Sequence, residues 1–208
     1  MGIINRLILL FIVALLAYIL WPRSPSFATF NPEETGRLEA EAWVAVAKGE
    51  HMDAAKSYYL LFDRQFGLPP MAAVMGAQNV SRALQLIRKG ADDSDQEKAI
   101  PLLQEFYISL KKETKSDWDA VALARMDYDI WYSLANGADA AAVAPKITAY
   151  WAMLLGPKTA SLTKAATERG EAMLASSVVR PGTAVDEAKV QSLLKQSWQA
   201  IKTALGNP

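Results

Sequence analysis

From residue 31 to the end of the chain, apolar residues return every three or four positions, and no alternating run of β-branched residues is long enough for a sheet strand. That spacing puts apolar side chains on one face of a helix, so the fold has to pack helix against helix. The expectation is an all-α domain, and local punctuation divides it into eight helices. Asn31 caps the first, with Pro32 at its first position, Glu33 and Glu34 where the helix dipole favours acids, and Gly49 as the stop after Lys48. The second covers 51–66 and ends at Gly67 before Pro69 and Pro70; the third covers 70–89 and is closed by Gly90. Ser94 with Glu97 forms a capping box for the fourth, which reaches 113 with Pro101 near its start. Ser116 caps the fifth, which carries Trp118 and ends at Asn136 and Gly137. The sixth, 139–155, is interrupted by Pro145 and stopped by Gly156. The last two cover 160–178 and 184–205. The final helix opens on a capping box of Thr183 with Asp186 and shows one stripe: Val190, Leu193, Leu194, Trp198, Ile201 and Leu205. Short turns between them imply antiparallel helical hairpins, stacked as repeats or gathered into an irregular bundle.

The N-terminus obeys a different constraint. Residues 7–21 carry no charge, and the stretch from Ile3 to Trp21 is interrupted only by Asn5 and Arg6. At about 1.5 Å per residue it reaches roughly 28 Å, close to the thickness of a hydrocarbon core. Leu7, Phe11, Leu15, Tyr18 and Trp21 are the expected anchor residues, with Tyr18 and Trp21 at the depth of an aromatic belt and Arg6 able to reach the headgroups. Ser26-Phe27-Ala28 also offers the small residues of a signal-peptide cleavage site. The expected organisation is a transmembrane anchor at 1–23, a linker at 24–30 and an all-helical domain at 31–208. The balance of Arg6 against Arg23, Glu33 and Glu34 slightly favours the N-terminus inside, which for a bacterial inner-membrane protein places the domain in the periplasm.

Composition narrows the chemistry. The chain of 208 residues has no cysteine, one histidine, and 22 basic against 22 acidic side chains. Thiolate sites and thiol nucleophiles are excluded, a histidine-rich metal site is excluded, and there is no basic excess of the kind nucleic acid requires. Ser161 and Lys164 match the Ser-x-x-Lys string of penicillin-binding proteins, but the companion Ser-Asp-Asn and Lys-Thr-Gly strings are missing. Asp92, Asp93, Asp95 and Glu97 read as an acidic turn rather than a calcium loop, since Lys98 and Gln104 stand where a helix-loop-helix site needs glycine and glutamate. His51 reads as a first-turn surface residue, and Asp127 and Asp129 as surface carboxylates flanking an aromatic patch. The expectation is a non-catalytic protein without a cofactor.

Two features point toward recognition. The segment from Gly49 to Tyr58 resembles the turn and second helix of a tetratricopeptide repeat, with echoes at Gly90, Ala99 and Leu103 and at Gly137, Ala144 and Thr148. That resemblance implies a concave surface for binding protein segments. Glu39, Glu41 and Trp43, followed by the turn from Phe66 to Pro69, also look broadly like bacterial single-pass helical proteins, which implies architecture only. The aromatic residues either fill a core among alanines or form a partner groove, for which Trp43, Tyr58, Tyr59, Phe62 and Tyr107 are the candidates. The expected function is a membrane-anchored accessory or scaffold subunit, held by the bilayer and by a larger membrane protein complex. The alternative is a helical carrier or sensor for a small hydrophobic ligand.

Overall fold

The computed structural model describes residues 3–20, 23–27, 29–89 and 98–206. Among them there is no strand, and nine α-helices account for most of the chain: α1 (Ile3–Leu20), α2 (Pro32–Lys48), α3 (His51–Leu60), α4 (Pro70–Lys89), α5 (Ala99–Thr114), α6 (Ala120–Ala135), α7 (Ala140–Leu155), α8 (Thr163–Ala175) and α9 (Glu187–Ala204). The start and stop of α2 follow the expected chemistry. The Asn31 side chain accepts from the backbone N–H of Glu33 at 2.9 Å and of Glu34 at 3.2 Å. Gly49 ends the helix at φ 79°, a left-handed turn that glycine adopts without a Cβ penalty.

Several expected boundaries move, each for a local reason. The second helix leaves α geometry after Leu60 and finishes as a π-helical turn, Leu61–Gln65. Ser116 closes α5 instead of opening α6: its N–H donates to the Lys111 carbonyl and its hydroxyl pairs with that of Thr114. Asp119 caps α6, and Trp118 therefore lies ahead of the helix. α7 runs through Pro145, which has no N–H to give the helix. A 3-10 turn at Pro157–Ser161 replaces the expected first turn of the next helix, which begins at Thr163 and ends at Ala175. Asp186, not Thr183, caps α9, while the Thr183 hydroxyl donates to the Arg180 carbonyl. The Ser94–Glu97 capping box and the acidic turn at 92–97 lie outside the described residues.

Helices α2 to α9 form a closed circuit. Each packs on its successor in the chain, and α9 returns to α2 over the most extensive contact of the fold. On α9, Val190, Leu194, Trp198 and Ile201 are buried, at the spacing of one helical face. Gly36 lets α2 approach: a Cβ there would stand 2.7 Å from the backbone nitrogen of Lys195 and 2.8 Å from its Cα. α2 is itself buried on most sides and also touches α3, α4 and the π turn, so it is the spine of the domain.

The N-terminal segment is helical. α1 forms, with Leu7 61% and Phe11 68% exposed and Tyr18 exposed as well. Yet among the described residues no helix is long and apolar enough to cross a membrane. α1 has 18 residues and rises about 27 Å, and the expected anchor residue Trp21 lies outside the described residues. The described part of the linker is docked on the domain: the Phe27 ring lies 4.9 Å from that of Phe66, and Phe30 is buried with its ring 5.1 Å from Trp198.

The closing contact makes a clear prediction. Replacing Gly36 by Ala favours the helix by about 1 kcal/mol in propensity alone, but the clash with the α9 backbone should reverse the sign and destabilise the fold by about 1–3 kcal/mol. Urea unfolding of the variant checks this; a gain in stability would show that α9 does not sit against Gly36.

Candidate functional site

Inside the circuit the helices line a partly open cavity of about 100 Å³. Its wall is built of aromatic and aliphatic side chains and takes residues from every helix from α2 to α9 and from the π turn. The rings touch in series. Trp43 of α2 meets Trp131 of α6 edge-on at 5.1 Å, Phe62 stacks on Phe106 at 4.9 Å, and Tyr107 lies 6.3 Å from Tyr150. Four of the five residues expected as a partner surface are therefore interior: Trp43, Tyr58, Phe62 and Tyr107 are each at most 5% exposed. They are brought together as cavity wall, because each falls on the apolar face of its helix. Tyr59 points elsewhere and is half-buried, with its hydroxyl 3.0 Å from that of Tyr18.

Three ionisable side chains converge on this aromatic interior. Glu39 and Arg169 form a buried ion pair in which the guanidinium engages both carboxylate oxygens, one of them at 3.0 Å. The Trp198 indole N–H donates to the same carboxylate at 2.7 Å. Arg169 also lies over the Trp43 ring at 5.2 Å and the Trp198 ring at 5.7 Å, so its charge is met on two faces by π density. Burial opposes that charge, and the attraction and hydrogen bonds of Glu39 outweigh the penalty, leaving the arginine pKa raised.

Asp127 is the third. Its carboxylate accepts from the Tyr107 hydroxyl at 2.9 Å, and that hydroxyl lies 2.8 Å from the hydroxyl of Tyr150. Among the described residues no basic side chain forms an ion pair with it. Burial pushes its pKa up to about 6; the hydrogen bonds from Tyr107 and Trp131 and the field of Arg169 oppose this, and Glu39 adds to it. Burial raises the tyrosines too, assisted by the charge of Asp127: Tyr58, Tyr107 and Tyr150 all sit above the ordinary phenol range and keep their protons.

These charged residues carried a signal that was visible in the sequence. Glu39 belongs to the series Thr35, Leu38, Glu39, Ala42, Trp43 and Val46 on the buried face of α2, and Asp127, half-buried, shares the register of the buried Leu123, Ala124, Ile130, Trp131 and Leu134 on α6. Arg169 takes the same place among Ala165, Ala166, Ala172 and Met173 on α8. A charge at a core position needs a partner or a purpose. Reading Asp127 as a surface carboxylate overlooked that register; Asp129, two residues on, is exposed.

The remaining candidates stand apart from the cavity. Ser161 ends the 3-10 turn while Lys164 lies on α8, its side chain 93% exposed and 3.8 Å from Glu168. His51 is exposed at the start of α3. Among the described residues no group of three histidine, aspartate or glutamate side chains is placed to hold a metal. Comparisons with protein-family models, with curated proteins and with solved structures give no match for the chain.

Two stability measurements test this electrostatic arrangement. Glu39→Gln leaves the Arg169 charge buried without its counter-charge and should cost about 3–5 kcal/mol. Asp127→Asn should act in the opposite sense above neutrality. The folded-state pKa of Asp127 lies above its ordinary value, so its contribution is complete at low pH and is lost as pH rises through about 6. The asparagine variant should therefore exceed the parent in stability by about 2–3 kcal/mol at pH 8, with the gap closing toward pH 4. Denaturant melts across that range decide it; a variant equally less stable at every pH would contradict a buried, costly carboxylate.

Proposed function

We propose that this chain is a helical binding protein that holds a small ligand with an apolar body in the cavity lined by α2 to α9. The observation that carries the reading is the cavity itself: an internal space lined by aromatic rings with a few convergent polar groups is the usual construction of a small-molecule site. Perturbed titratable groups facing such a space add to that support. About 100 Å³ is several times what one water molecule needs and less than the ~150 Å³ of an apolar cavity known to admit benzene, so the ligand is compact.

A second reading is supported by a different observation. Asp63, in the π turn, forms an ion pair with Arg23 and accepts from the Tyr18 hydroxyl at 3.1 Å. The residue before it, Phe62, is part of the cavity wall. In this reading the chain is a tethered accessory subunit: α1 associates with a bilayer or with the apolar surface of a larger membrane complex, and the hairpins beside it contribute contacts. The exposed apolar face of α1 supports that association. The two readings are compatible, because a ligand that moves Phe62 would also bear on the Asp63 contact with the N-terminal segment.

Fluorescence separates them. Titrating the full chain with small apolar fragments should change the emission of Trp43 and Trp131, and Trp131→Phe should remove most of that change. No response to any fragment, together with stable recovery in a larger membrane assembly after mild detergent extraction, would favour the accessory subunit. Arg23→Ala should lower the melting temperature of the helical domain measurably, because the side chains of the ion pair it breaks are only 16% and 10% exposed and the Asp63 carboxylate is left without its counter-charge.

A further inference from the structure

The charge inventory of the cavity points beyond a generic apolar ligand. Glu39, Asp127 and Arg169 are the ionised side chains that line it, and Glu39 is already matched by Arg169 and by the Trp198 N–H. With Asp127 ionised, the interior therefore carries one carboxylate more than it has cations. Aromatic faces and an unmatched carboxylate have one ligand class in common. A compact ammonium presents positive charge to the carboxylate and polarised C–H groups to the rings, where the ring quadrupole is attractive. An anion would meet Asp127 and Glu39, and a neutral hydrocarbon would leave Asp127 desolvated with no compensating charge.

We propose that the cavity takes a small aliphatic ammonium ion of about five heavy atoms, its charge beside the Asp127 carboxylate and its methyl groups against the rings of Trp43, Trp131 and Tyr107. The proposal rests on the small-ligand reading above and names the chemistry of that ligand. Tyr107 and Trp131 set the geometry: both are neutral donors that hold the Asp127 carboxylate by hydrogen bonds without cancelling its charge. A cation placed there supplies the interaction whose absence keeps the Asp127 pKa high, so binding and deprotonation of Asp127 are linked. The other charged and titratable groups facing the site are Glu39, bonded to Arg169 and Trp198, Arg169, which is raised, and the phenols of Tyr58, Tyr107 and Tyr150, which are raised and stay neutral.

Three probes that share a tert-butyl group and differ in charge test it: tert-butylammonium and tert-butanol, of about five heavy atoms each, and the larger trimethylacetate, titrated by calorimetry into the full chain in a non-ionic detergent. At pH 8 tert-butylammonium should bind at least about tenfold more tightly than tert-butanol, and trimethylacetate more weakly than either. In the unchanged protein the ammonium affinity should fall by up to about tenfold per pH unit below about 6, while the alcohol affinity stays constant. Asp127→Asn, folded by circular dichroism, should bind alcohol and ammonium alike; if that variant does not fold, the pH series in the parent decides. Equal affinity for ammonium and alcohol, or an ammonium preference that survives Asp127→Asn, overturns the cation proposal and leaves the small-ligand reading in place. Tightest binding of trimethylacetate also overturns it and assigns the site to Arg169. Binding of none of the three overturns both readings together.

Discussion

The buried pair of Glu39 and Arg169 is the interaction on which the arrangement of helices depends. Each charge loses several kcal/mol of hydration on leaving water, and only close, doubly bonded geometry with further hydrogen bonds recovers it. That geometry needs three helices at one point: α2 for Glu39, α8 for Arg169, and α9 for the indole N–H of Trp198. An aliphatic pair of equal volume could slide by a turn and still bury its area. A guanidinium held across a carboxylate under two indole rings has far less freedom, so the pair sets the register in which α9 returns to α2. Gly36 makes the same contact possible from the backbone side, by removing the side chain that would hold the two helices apart.

The interior beside this pair is less completely filled than stability alone would favour. An unfilled volume of 100 Å³ costs on the order of 2 kcal/mol by the relation between cavity size and stability, and the raised pKa of Asp127 is a second cost at neutral pH. Both fall at one place, where Trp43, Trp131, Tyr107 and Tyr150 meet. Natural chains depart from close packing and from charge exclusion mainly where a site needs it, which is why the cavity, and not the outer surface, is the centre of the functional reading.

The π turn at Leu61–Gln65 connects that centre to the N-terminal segment. Such turns are uncommon and occur often at functional positions, because widening one turn of helix rotates the side chains that follow. Here the widened turn serves three surroundings at once. Phe62 faces the cavity, Asp63 holds Arg23 and Tyr18, and the Gln65 side chain accepts from the Asn31 N–H where α2 begins.

Much of the local structure was legible in the residues themselves. The all-helical class, the start of α2 at Asn31 and Pro32, the left-handed stop at Gly49 and the buried stripe of α9 follow from periodicity and capping, which act within a turn or two of the chain. Boundaries without such signals were misplaced: Ser116 and Asp119 are both competent caps, and only the turn at Lys115, itself in the left-handed region, decides which helix Ser116 serves. The aromatic residues were recognised as a group, but whether they form a wall or a surface depends on which faces meet. The helical class was therefore determined by the sequence alone, through interactions between residues three and four apart. The pairing of Glu39 with Arg169, the hydrogen bond of Tyr107 to Asp127 and the closure of α9 on α2 join residues from distant parts of the chain, and only the packed tertiary structure, which brings those residues within bonding distance, could decide them.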